Sequence, residues 1–259
     1  MLLEVKDLNI SLTSGKSVAK HISFRLGQGE MLSIVGSSGA GKTTICKAIM
    51  GLLGNTYRAD GEILFQAENL LNLPERKRQA IYGKEICLIM QNPMTAFNPS
   101  IRVGRQLEKT YLLHHGKTPK QEMQRLFAGI LQRLGLEDTQ RILNSYPFTL
   151  SGGILQRLMI AAALMCQPSL LVADEATTAI DACNRIGLMR ELKSFCKDGM
   201  SVLFVTHDLR SASVSDRILV MDRGRIVEQG KTEQILNTPK EDYTKYLLNA
   251  CRLERREMS

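Results

Sequence analysis

Residues 31–50 read MLSIVGSSGAGKTTICKAIM: a short apolar run, a glycine-rich loop, a lysine and an apolar segment of helical character. Glycine loses more backbone freedom on folding than any other residue, so Gly36, Gly39 and Gly41 need a physical reason. The spacing G-x-x-x-x-G-K-[ST] provides one, because it belongs to loops that wrap phosphates between a strand and a helix. Such a loop turns the backbone N–H groups of Gly36, Ser37, Ser38, Gly39, Ala40 and Gly41 inward as a nest. The helix after it offers its positive end. Lys42 is then expected to reach the β- and γ-phosphates and the Thr43 hydroxyl to ligate Mg²⁺, with Thr44 closing the loop. A glycine-rich turn is the plain alternative, but the apolar flanks on both sides favour a nucleoside triphosphate site.

The chain has 259 residues, 44% of them hydrophobic and 23% charged, which suits one α/β unit or a core with an inserted lobe. No internal repeat or low-complexity tract is visible. The N-terminus is charged by its fourth residue, and the apolar run LMIAAALMC at 158–166 falls short of the ~20 residues of a membrane span. Six cysteines without a CxxC pair read as reduced thiols rather than disulfides or a zinc site. His114-His115 lacks a third ligand and reads as a surface pair. A net charge of +8 calls for an anionic partner: nucleotide, nucleic acid or an acidic membrane surface.

Strands are expected at 3–8, 21–26 and 31–35, all turning like an antiparallel set, and at 63–65 after a Gly61 opening. Further strands are expected at 86–90, 170–173 and 202–206, with a hairpin at 217–221 and 225–228. From Pro93 to about Leu150 the pattern is helical. Thr118 is placed as an N-cap with Pro119 at the first helical position, and Gly135 stops the run. A helical lobe inserted in an α/β core follows, with a short basic helix after Pro239.

Hydrolysis needs more than a phosphate loop. The apolar strand at 170–173 runs into Asp174-Glu175: the first acid suits Mg²⁺, the second suits a general base acting on water. Alone, such a pair reads as a helix cap. Gln91 ends another strand and can reach Mg²⁺ or the water, and His207 ends a third and can hold the carboxylate or donate to the γ-phosphate. Ser151-Gly152-Gly153 forms a second donor nest at a helix start. Because one phosphate loop is already present, this nest is expected to serve a phosphate bound by another subunit, with ATP sandwiched between two head-to-tail copies.

The order GSSGAGKTT, Gln91, LSGG, LLVADE and His207 resembles the nucleotide-binding subunits of ATP-binding cassette (ABC) transporters over nearly the whole chain. The resemblance implies an α/β P-loop NTPase: a RecA-like core with an antiparallel β subdomain and an inserted α-helical subdomain. In segments, residues 1–92 hold the β subdomain and phosphate loop, and 93–155 the helical subdomain ending in LSGG. Residues 156–235 complete the core, and 236–259 form a helical tail. It also implies that Asp181 passes between two ATP sites.

The stretches QNPMTAFNPSIRVGRQL and YPFTLSGGILQR resemble the peptide/nickel import subfamily, with the nickel-import ATPase the nearest match. ATP and Mg²⁺ are the implied cofactors. The implied partners are a second ATPase subunit, identical or not, two membrane permeases received around residues 92–104, and an extracellular or periplasmic solute-binding protein. The chain is then a peripheral protein of the cytoplasmic membrane face, importing nickel, another metal or a metal chelate. A peptide importer is the alternative. A soluble ABC ATPase acting on DNA ranks lower, since the long insertions of that class are missing and no nucleic acid is expected. Three positions depart from the family pattern: Thr13 stands where an aromatic stacks on adenine, Ala176 replaces a proline, and Ile154 replaces a glutamine.

Overall fold

A computed structural model describes residues 1–175 and 182–257, which two sheets organise. The first is four-stranded and antiparallel, in the order β2–β1–β4–β5. It contains β1 (Leu3–Leu12), β2 (Ser17–Leu26), β4 (Tyr57–Phe65) and β5 (Glu68–Asn69). The second is six-stranded, in the order β10–β9–β3–β8–β7–β6. It comprises β3 (Met31–Val35), β6 (Ile86–Ile89), β7 (Leu170–Asp174), β8 (Ser201–Thr206), β9 (Arg217–Asp222) and β10 (Arg225–Lys231). All of its pairings are parallel except the β9–β10 hairpin.

The helices are α1 (Lys42–Ile49), α2 (Glu75–Ile81), α3 (Val103–His115), α4 (Lys120–Arg133) and α5 (Thr139–Asn144). They continue with α6 (Gly152–Leu164), α7 (Ala182–Cys196), α8 (Leu209–Ala212), α9 (Thr232–Asn237) and α10 (Asp242–Glu257). Among the described residues, no helix is long and apolar enough to cross a membrane.

Burial explains the division of the strands. On β1, Leu3, Val5, Leu8 and Ile10 are buried, and the three-residue step from Val5 to Leu8 marks a bulge where the register shifts. On β8 every residue is buried. Val202 and Phe204 join one apolar cluster with α3, α4 and α6, while Leu203 and Val205 join another with α1 and the antiparallel sheet. A strand covered on both faces reads as an unbroken apolar run, the signature of a parallel sheet.

The same logic corrects three expectations. β3 is buried throughout and lies between β8 and β9 in the parallel sheet, not in the antiparallel set. β4 starts at Tyr57, so Gly61 sits inside it. Its φ of +108° brings the strand so close to β1 that a Cβ would fall 2.5 Å from the Asp7 carbonyl oxygen. Pro119, not Thr118, caps α4, because its carbonyl already accepts from the N–H groups of Glu122 (3.0 Å) and Met123 (3.2 Å). Of the expected surface pair, His114 is half-buried and His115 is exposed.

Phe204 is fully buried at the centre of the parallel sheet. Phe204→Ala should cost roughly 3–5 kcal/mol of unfolding free energy. A denaturant titration should show this as a lower midpoint with an unchanged slope.

Candidate functional site

Four neighbouring parallel strands end at one edge of the sheet, and their register places the functional residues side by side. Val35 lies opposite Thr206, Val205 opposite Asp174, and Ala173 opposite Ile89. One residue further on stand Gly36, His207 and Glu175, and two residues beyond Ile89 stands Gln91, all at the same edge. Ligands bind at this carboxyl end of parallel sheets, where loops rather than strands face solvent.

Close backbone approaches demand the glycines of the loop. A Cβ on Gly36 would fall 2.2 Å from the Met221 carbonyl oxygen of β9. At Gly41, φ is +97° and a Cβ would lie 2.9 Å from the Val18 carbonyl oxygen of β2. Lys42, at 4% exposure, donates to the carbonyls of Gly36 (2.8 Å) and Ser37 (2.9 Å). Burial pulls its ammonium pKa below the usual lysine range, against the opposing pull of Glu175 and Asp174.

Thr43 donates its hydroxyl to Asp174 Oδ1 at 3.1 Å. Burial pushes the Asp174 carboxyl above its ordinary range; the Thr43 hydrogen bond works against that, and the neighbouring Glu175 charge works with it. Glu175 follows at a left-handed φ of +49°, its N–H donating to the Val205 carbonyl at 2.9 Å. A non-glycine residue in this conformation costs on the order of 1–3 kcal/mol and is held by its surroundings. Gln91 Nε2 donates to Glu175 Oε2 (2.9 Å), and His207 Nδ1 lies 3.2 Å from Oε1. Asp208, next to His207, accepts from Ser211 (2.8 Å), the Arg210 N–H (2.9 Å) and Arg185 of α7 (3.1 Å).

A cleft of about 230 Å³ is lined by Val18, Ser38, Gly39, Gly41, Lys42, Thr43, Thr44 and Glu175; Asp174, Gln91 and His207 stand behind it, in contact with Thr43 and Glu175. Larger hollows of about 480 and 590 Å³ exist elsewhere, but no phosphate-loop residue lines them. The cleft lining contains no aromatic side chain. Near Thr13 the contact is a backbone one, its N–H donating to the Thr56 carbonyl.

Ser151 caps α6 through its hydroxyl, which accepts from the Ile154 N–H at 3.4 Å. Ser151 and Gly152 are exposed, Gly153 is half-exposed, and none of the three lines the cleft. Ile154 packs against the apolar cluster beneath. Asp181 and Ala176 lie outside the described residues.

Two contacts were not visible in the sequence. Val18 lines the cleft from the antiparallel sheet, and the Tyr243 hydroxyl of α10 accepts from the Ser37 N–H at 3.1 Å. Neither residue carries a motif.

The loop fits a triphosphate: glycines at 36 and 41 let it lie against the backbones of β9 and β2, and the Lys42 cation lies beneath it. The hydroxyl and carboxylate of Thr43 and Asp174 are hard oxygen donors of the kind Mg²⁺ takes. A buried lysine under a strand-to-helix glycine loop, beside an acid pair on a neighbouring strand, defines a P-loop nucleoside triphosphatase.

Residues 19–178 match the ABC transporter family. The chain is 39% identical over 251 residues to the metal-staphylopine import system ATP-binding protein CntD of Staphylococcus aureus (strain Mu50), covering 96% of this chain and 92% of that protein. It is 41% identical over 254 residues to the oligopeptide transport ATP-binding protein OppD of Bacillus subtilis, covering 95% and 71%. The solved ATP-binding cassette MJ0796, a dimer bound to ADP and Pi in a post-hydrolysis state, superposes with a TM-score of 0.78. It is 27% identical and covers 89% of this chain and 99% of its own. The chain belongs to the ABC transporter family, and it is an ATP-binding, ATP-hydrolysing cassette.

The Asp174 carboxyl is raised by burial, so the fold favours its protonated form. Its drag on stability sets in as pH climbs through the ordinary carboxylate range and persists above the raised value. Asp174→Asn should therefore raise the Tm of the nucleotide-free chain at neutral pH while abolishing Mg²⁺-dependent hydrolysis. Calorimetry at pH 7 with a parallel phosphate-release assay checks both signs; an unchanged or lower Tm contradicts the burial argument.

Proposed function

We propose that the chain powers a membrane importer of nickel, another metal or a metal chelate from the cytoplasmic face. In this reading it pairs with a second ATPase subunit, identical or different, under two permease subunits fed by a solute-binding protein. The observation that carries the reading is the set of contacts at one sheet edge that joins Thr43 to Asp174 and both Gln91 and His207 to Glu175, beside the buried Lys42. The likeness to CntD, an ATP-binding protein of a metal-staphylopine import system, supports a metal-chelate cargo. A peptide importer is the second reading, favoured by the likeness to OppD.

Residues Gly36 to Thr44 hold the triphosphate, with Lys42 against the β- and γ-phosphates. Thr43, Asp174 and Gln91 would hold Mg²⁺, which when bound offsets charge on the phosphates. Glu175 takes the proton of the attacking water as general base, and such groups contribute about 10²–10⁴ in rate. His207 keeps the carboxylate oriented and donates to the γ-phosphate. Ser151, Gly152 and Gly153, which do not line this chain's own cleft, close over the ATP of the second subunit, with Asp181 between the two sites. Met90, Met94 and Ile101 are exposed around the segment after Gln91, which suits a permease contact at residues 92–104.

Glu175→Gln should retain Mg·ATP binding, hold the dimer closed and lower turnover by about 10²-fold or more. Size-exclusion chromatography with ATP and a phosphate-release assay read the two effects. Lys42→Ala should weaken ATP binding itself. In a mixed dimer labelled on one subunit, Ser151→Ala should impair hydrolysis at the partner's site; damage confined to its own site contradicts the sandwich. Uptake of nickel against a labelled dipeptide in cells lacking this chain separates the two cargo readings.

A further inference from the structure

The N–H of Ser37, expected to turn inward with the phosphate nest, is engaged elsewhere. It donates to the hydroxyl of Tyr243, 206 residues further along the chain on α10. Ser37 N–H and Gly36 C=O belong to one peptide unit, which is planar and trans, so the two groups point in opposite directions. The Gly36 carbonyl is one of the two acceptors of the Lys42 ammonium. A single peptide plane is therefore held at both ends, by Lys42 on its carbonyl and by Tyr243 on its N–H.

Tyr243 itself stands on a braced support. It packs with Leu247, Leu248 and Cys251 against a small apolar cluster that includes Val35, the last residue of β3 before the loop. At the start of α10, the Glu228 carboxylate of β10 accepts from the N–H groups of Lys240 (2.9 Å) and Glu241 (3.2 Å). Further along, Arg210 of α8 donates to the Cys251 carbonyl at 2.8 Å. A helix anchored at two points holds a hydroxyl in place where a mobile tail would not. Packing alone does not call for a tyrosine at this position, since a phenylalanine fills the same space.

We propose that Tyr243 is a positioning residue for ATP binding: its hydroxyl sets the tilt of the Gly36–Ser37 peptide and thereby aims Lys42 at the phosphates. The C-terminal helix is then a working part of the nucleotide site. The inference rests on the ATP-hydrolysing reading of that site and adds to it a residue that never touches nucleotide.

The test is Tyr243→Phe in the full chain, with Tyr246→Phe, one turn along α10 and largely exposed, as the control. Loss of one hydrogen bond of ordinary strength should raise the Kd for Mg·ATP and the KM roughly threefold to tenfold. kcat at saturating ATP should stay within about twofold, because the groups at Glu175 are untouched. Titration calorimetry, steady-state kinetics and thermal melting are read together on both variants. Unchanged Kd and KM in Tyr243→Phe overturn the proposal, as does a fall in Tm and kcat with KM unmoved, which marks a purely structural contact. An equal KM rise in Tyr246→Phe also overturns it. A wild-type chain that fails to bind Mg·ATP would instead bring down the reading of the nucleotide site, so the two failures are separable.

Discussion

The ammonium of Lys42 is the interaction on which the rest depends. A cation at 4% exposure is costly unless acceptors surround it. Here they are two carbonyls of its own loop, backed by the charges of Asp174 and Glu175. That arrangement bends the loop around the lysine. It also leaves the lysine incompletely compensated, since burial still pulls its pKa down. An anion delivered to the loop supplies the missing charge, which is why a buried lysine here favours triphosphate rather than merely tolerating it.

Everything that faces the lysine arrives through strand register. The parallel sheet sets β3, β8 and β7 so that Val35, Thr206, Val205 and Asp174 lie at one level. The antiparallel sheet is docked against the other side of the loop through backbone contacts. Gly224, in the β9–β10 turn, donates to the Ala40 carbonyl (3.2 Å) and accepts from the Lys20 N–H (2.8 Å). Its missing side chain matters, because a Cβ there would lie 2.4 Å from the Val18 carbonyl oxygen. Val18 reaches the cleft only because that turn lets the two sheets approach.

The chemistry of the site was legible in the sequence wherever it depends on residue type and spacing. The loop from Gly36 to Thr44 lies between β3 and α1 and the acid pair ends β7, as the spacing predicts, whereas Ser151, read as part of a phosphate nest, caps α6. What was not legible depends on partners distant in the chain. A five-residue apolar run such as Met31–Val35 reads alike in either sheet, and only its neighbours β8 and β9 decide. The left-handed backbone of Glu175 carries no composition signal, because it is imposed by Val205 and the surrounding strands. Val18 and Tyr243 act through a carbonyl and a hydroxyl placed by tertiary packing, which no local pattern encodes.

Glu175 shows how such long-range placement can control chemistry. Gln91 donates to one of its carboxylate oxygens, and His207 lies against the other. Both oxygens are thus engaged, which fixes the orientation of the carboxylate at the cleft. Gln91 is the last residue before the segment bearing the exposed Met94 and Ile101, and that segment leads into α3 and the helical lobe. His207 stands beside Asp208, which is tied to α7 and α8. One contact of the carboxylate is thus mounted beside an exposed segment and the other beside a residue tied into the core, although the two partners stand far apart in the chain.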